Sequence, residues 1–176
     1  MKKSFTILFL TLITISCGTK SLTDKQELLK EISNYEKSLL NDTTGNVNIT
    51  AAYELIKCYS KFYNNYPTDS ITPEILFKQA NIFQSIAKYK EAISTIEKIE
   101  KEYPNYKKID ICIFMKANIY ENYLNDLKNA EKFYKLYLKQ YPNGSLAKDA
   151  EFLLQNLGKS PEELFNSLNK NDTLNI

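Results

Sequence analysis

The chain is expected to be all-α, a solenoid of stacked antiparallel helix pairs, and three observations carry that expectation. A Tyr-Pro pair recurs at Tyr66-Pro67, Tyr103-Pro104 and Tyr141-Pro142, with spacings of 37 and 38 residues. Each pair closes a segment that reads as helical, because proline disfavours helical backbone at the residue before it. Small and apolar residues recur at helical spacing ahead of the pairs, in Leu76, Ala80 and Phe83 and again in Ile113, Ala117 and Tyr120. Only 4 glycines occur in 176 residues, which suits helices with short breaks. Self-similarity at a period of about 20 to 50 residues marks an array whose units cannot bury their apolar faces alone and so stack on one another.

The elements follow in chain order. Lys2 and Lys3 make a short basic start, and Phe5 to Ile15 is a run of apolar residues and threonines. A helix needs about 20 apolar residues to cross a bilayer, more than this run has, so residues 1–16 read as an export signal. Ser16-Cys17-Gly18 follows at once. A cysteine so placed resembles a bacterial lipobox, although Thr14 and Ile15 stand where that motif has Leu and a small residue. The resemblance implies an acylated Cys17, a membrane anchor through the N-terminal lipid, and a tether over residues 17–22. Gly18 after the cysteine, in place of Asp, points to the outer membrane on its periplasmic side. From the residues alone, an ordinary cleaved signal with an incidental cysteine is the alternative.

The repeat domain is expected over residues 23–168. Thr23-Asp24-Lys25-Gln26 has the form of a capping box and opens a helix that carries Leu28, Leu29, Ile32, Leu39 and Leu40. Residues 41–46 are a polar turn, and a second helix runs from about Thr50 to Asn64. Thr72-Pro73-Glu74 starts a third, with proline at the first position. A break near residues 87–90 leads to a helix with Ala92, Ile96 and Ile99, and the next pair repeats this around a break at Asn125-Asp126 with Ala130, Phe133 and Tyr137. Leu146 to Leu157 is a further first helix, Ser160-Pro161-Glu162-Glu163 opens a last piece with Leu164, Phe165 and Leu168, and residues 169–176 read as a frayed tail.

This pattern resembles the tetratricopeptide repeat, an antiparallel helix pair with small residues at two fixed positions and a closing proline. Ala80, Ala92 and Pro104 fall on those positions in one unit, and Ala117, Ala130 and Pro142 in the next, with one residue inserted in the turn between the helices of the latter. Small residues are needed there because the backbones of a pair approach to about 8–10 Å. In the first unit Leu55 replaces the expected alanine, and in the last Leu154 does. The resemblance implies a right-handed α-solenoid of about three to four repeats whose first helices line a concave groove. The groove residues would be Glu74, Phe77, Asn81, Gln84, Ile111, Phe114, Asn118 and Glu121, and Gln155 extends a ladder with Asn81 and Asn118 at 37-residue intervals. Those amides either hydrogen-bond an extended peptide or are simply exposed polar residues, and Phe77 and Phe114 are either footholds between them or core.

Composition limits the chemistry. There is no histidine, so the commonest general base and metal ligand is missing. No paired carboxylates, nucleophile constellation or phosphate loop stands out, and neither an enzyme activity nor a cofactor or metal is expected. Without Lys2 and Lys3 the lysines and acids balance, so no basic footprint for nucleic acid is present. Cys58 and Cys112 fall in units that are not neighbours and read as buried free thiols. The resulting expectation is a lipid-anchored envelope scaffold that holds a protein or extended peptide, in outer-membrane protein assembly or envelope maintenance. Its rival is a periplasmic protein that binds glycan or a small ligand, or an accessory subunit of an envelope enzyme or secretion complex.

Overall fold

A computed structural model describes residues 17–40, 48–160 and 162–163, with side chains from Thr23 onward and excepting Leu40. The expected export signal, the polar run 41–46 and everything from Leu164 to the C-terminal tail lie outside the described residues. Among the described residues there are seven α-helices: α1 Cys17–Leu40, α2 Ile49–Asn65, α3 Thr72–Ser85, α4 Tyr89–Glu102, α5 Ile109–Asn122, α6 Leu127–Gln140 and α7 Ala147–Gln155. Helix α1 is already helical from Cys17, so the backbone of residues 17–22 is continuous with it where a separate tether was expected.

Each helix packs on the next in the chain, which is the architecture of an α-solenoid. The core shows why one pair cannot stand alone. Leu76 and Ala80 of α3, Ala92, Ile96 and Ile99 of α4, and Cys112, Met115 and Ile119 of α5 form one buried cluster. Leu28, Ile32, Leu55, Tyr59 and Phe62 of α1 and α2 bury Ile75 of α3 in a second, and Ile113, Ala117, Ala130, Phe133, Tyr134 and Tyr137 bury Ala150 of α7 in a third. Every cluster therefore joins a pair to the first helix of its successor. The four seam alanines, Ala80, Ala92, Ala117 and Ala130, have no exposed surface at all. A part-buried ion pair crosses the junction between the central pairs, where the buried Lys116 of α5 meets the half-buried Glu100 of α4 at 2.8 Å with its ammonium 4.0 Å from the centre of the Phe133 ring.

The Tyr-Pro pairs build the same turn three times. Tyr66, Tyr103 and Tyr141 have φ/ψ of −134°/53°, −131°/58° and −131°/59°. At each one the tyrosine N–H donates back into its helix, to Phe62, Ile99 and Tyr137. The carbonyl then accepts three residues on, from Asp69, Tyr106 and Gly144. The breaks inside the central pairs differ by one residue, three after Ser85 and four after Asn122. Each contains a residue in the left-handed region, Ala87 with φ 58° and Asn125 with φ 50°. Asp126 also caps α6, its side chain accepting from the Asn129 N–H. At the far end Ser160 and Glu163 form a reciprocal capping box, each side chain accepting from the other's backbone N–H.

Candidate functional site

The first helices of successive pairs are tied side by side by charges that reach between them. Lys78 of α3 meets Glu36 of α1 at 2.8 Å, and Lys108, just before α5, meets Glu74 of α3 at 2.7 Å. This brings α1, α3 and α5 together as one face, the one the repeat pattern assigns to the groove.

The groove residues fall into two groups on that face. On α3, Glu74 accepts from the Tyr106 hydroxyl at 2.8 Å as well as from Lys108. Partial burial works against its charge, but these two donors outweigh that and hold its carboxyl below the usual carboxylate range. Burial, followed by the Glu74 carboxylate it bonds, pushes the Tyr106 phenol far up, so that it stays a donor. Phe77 lies half-buried between this pair and the core, with the Tyr106 ring 6.2 Å away and the Lys108 ammonium 4.7 Å above it. On α5, Phe114 meets the Tyr134 and Tyr137 rings edge-on at 5.7 and 5.8 Å, and Glu121 accepts from the Tyr134 hydroxyl at 2.7 Å. Burial and that carboxylate drive the Tyr134 phenol upward as well. Both phenylalanines are thus half-buried, packed against the core clusters while lying on α3 and α5 of the shared face.

The amides are not equivalent. Asn81 is exposed and spends its amide N–H on the Phe77 carbonyl at 2.8 Å, which leaves its oxygen free to accept. Asn118 is half-buried and lies by the Tyr134 phenol, whose upward shift it partly offsets. Gln155, exposed at the end of α7, reaches Glu151 at 3.4 Å. Gln84 and Ile111 are half-buried on the same helices. Sequence reasoning missed Tyr106, Lys108 and Tyr134, the side chains that orient Glu74, Phe77 and Glu121. The first two sit in the turn that follows Tyr103-Pro104, and only the aromatic after the Tyr-Pro pair marks it.

Several chemistries find no support in the geometry. Burial, with the nearby Glu31, raises the Cys58 thiol to about 11, and burial, with Glu100 and Asp110, raises Cys112 to about 12, so both are held as unreactive thiols. Both are free. Among the described residues no three His, Cys, Asp or Glu side chains cluster as metal ligands. No described helix is long and apolar enough to cross a membrane.

A stack of helix pairs with small-residue seams and a shared inner face defines an α-solenoid repeat protein. Residues 74–106 and 112–144 each match the family model for the tetratricopeptide repeat, and these stretches hold α3–α4 and α5–α6 with their Tyr-Pro turns. The central part of the chain is accordingly similar to a pair of tetratricopeptide repeats, an architecture that serves as a scaffold for protein–protein interaction. No curated protein is significantly similar to the chain.

Proposed function

We propose that the protein is a lipid-anchored scaffold of the cell envelope that holds an extended segment of a partner protein against the face made by α1, α3 and α5. The observation that carries this reading is the arrangement on α3, where an exposed acceptor at Asn81 stands one turn from the half-buried Phe77 ring, which Lys108 and Tyr106 hold in place. Such a surface offers a peptide an apolar anchor and a hydrogen bond to its backbone N–H. The anchor rests on the sequence, in the apolar run that ends at Cys17. Several acyl chains hold a protein to a bilayer where one does so marginally.

Two substitutions test the halves separately. Asn81→Ala with Gln84→Ala removes two groove amides, one exposed and one half-buried, so stability is expected to change by less than about 1 kcal/mol. Crosslinked partner adducts recovered from cells should nevertheless fall sharply, and adducts at the wild-type level would refute the groove. Cys17→Ala should move the protein from the membrane fraction to a soluble or unprocessed form, and wild-type protein found wholly soluble after cell breakage would refute the anchor.

A further inference from the structure

The Tyr-Pro turns end helices, and between the first two of them, beside the concave face with which it shares Glu74, Tyr106 and Lys108, lies a cleft of about 960 Å³. Residues Pro67 to Ile71 form one wall and Glu102 to Lys108 the other. Its apolar surface is mostly rings, Pro67, Pro73 and Pro104 with Tyr103 and Tyr106, and Ile71 adds an aliphatic side chain. Both tyrosines are fixed by their own hydroxyls, Tyr103 donating to the Pro67 carbonyl at 2.7 Å and Tyr106 to Glu74 at 2.8 Å. The ring faces are therefore set before any ligand arrives. A second cleft of about 350 Å³ continues from Pro104, Tyr106 and Lys107 to Tyr141 of the third turn.

The polar groups around the rings are of two kinds. The acids are already engaged: Asp69 by Lys25, Glu74 by Lys108 and Tyr106, and Glu102 by the Tyr63 hydroxyl. The side chains of Thr68, Ser70, Asn105 and Lys107 have no hydrogen bond or ion pair among the described residues, and each can donate. What remains on offer is a set of rigid ring faces edged by donors.

We propose that this row of Tyr-Pro turns is a second binding site, adjoining the concave face at Glu74 but not including Asn81 or Gln84, for a proline-rich extended segment of a partner protein. A polyproline II chain presents rings that stack on tyrosine and proline faces. It carries backbone carbonyls to accept from the wall, and at each proline it has no N–H of its own to satisfy. It is also already extended, so little entropy is lost on binding, which is why aromatic-lined grooves select it elsewhere. The larger cleft falls within the roughly 300–1,000 Å³ typical of ligand sites, and the smaller gives the chain somewhere to continue.

Fluorescence anisotropy of a labelled octaproline peptide, titrated with the purified full-length chain, tests this. Saturable binding is expected with a Kd below about 1 mM, displaced by unlabelled octaproline and not by a Gly-Ser octapeptide of equal length. Asn105→Trp, at an exposed position on the wall, should fill the cleft and weaken binding about tenfold or more. Lys107→Ala, at an exposed position, should weaken it about threefold and serves if the tryptophan disturbs the circular dichroism spectrum. No saturation, equal displacement by the Gly-Ser peptide, or octaproline binding indifferent to Lys107→Ala would each overturn the proposal. The Asn81→Ala, Gln84→Ala variant should bind octaproline like wild type, and a loss there would place the peptide in the concave groove instead.

Discussion

The central helix pairs and the first pair meet the same packing requirement with different residues. In α3–α4 and α5–α6 the small residues of the shared clusters are Ala80 with Ala92 and Ala117 with Ala130, all without exposed surface. In α2 the position equivalent to Ala92 is Leu55, 1% exposed, and the buried small residues are Ala51 and Ala52, at 5% and 0%, one turn earlier. Helix α7 repeats the displacement, with Ala150 fully buried and Leu154 only partly so. A turn of helix is about 5.4 Å, so in both flanking elements the small residue has moved by one turn toward the N-terminus while the bulky one takes its former place. Packing tolerates this exchange because volume is conserved across the turn. A fixed positional pattern does not tolerate it, and the tetratricopeptide match accordingly covers the central pairs alone.

The largest test of this difference is Leu55→Ala, which makes the first pair more like the family pattern. If the small residue has truly moved, the substitution deletes a filled volume and costs about 2–5 kcal/mol. A urea titration of the full chain measures it. A cost under about 0.5 kcal/mol would mean that α1 and α2 approach as closely at Leu55 as α3 and α4 do at Ala92. The reverse change at the centre, Ala80→Leu, should overpack the seam and cost about 1–3 kcal/mol, with Ala117→Leu behaving alike. Leu154→Ala should cost less than Leu55→Ala, since Leu154 packs against the third cluster from a partly exposed position.

Legibility in the sequence follows the same division. The central helices, their breaks and the extra residue before α6 were readable because alanine, a large apolar residue and proline recur in step, and each reports a steric constraint that local sequence alone imposes. The seam alanines are buried as that pattern requires. The site was readable only as a face. Spacing places Glu74, Phe77 and Asn81 along α3, but whether Glu74 is free or paired depends on Lys108 and Tyr106, more than 30 residues away. Likewise the 37-residue recurrence of Asn81 and Asn118 suggested equivalent amides. Asn118 is instead drawn toward the Tyr134 phenol, whereas Asn81 stays exposed, because long-range partners decide what a periodic position does.

The smallest effect compares the two central turns. Ala87 and Asn125 both hold positive φ, at 58° and 50°, and both are exposed, so neither substitution there disturbs the core. The left-handed region costs an ordinary L-residue about 1–2 kcal/mol, whereas asparagine tolerates it through local hydrogen bonding. Glycine relieves the strain but adds freedom to the unfolded chain, which takes back about 0.4–1 kcal/mol. The balance differs at the two sites. Ala87→Gly is expected to stabilise by up to about 1 kcal/mol, and Asn125→Gly to be neutral or slightly destabilising, as measured by thermal unfolding of each variant against wild type. A stabilisation at Asn125 as large as that at Ala87 would show that the longer turn is the strained one. A loss at Ala87 would show that its methyl group supports the short turn in a way that outweighs its backbone strain.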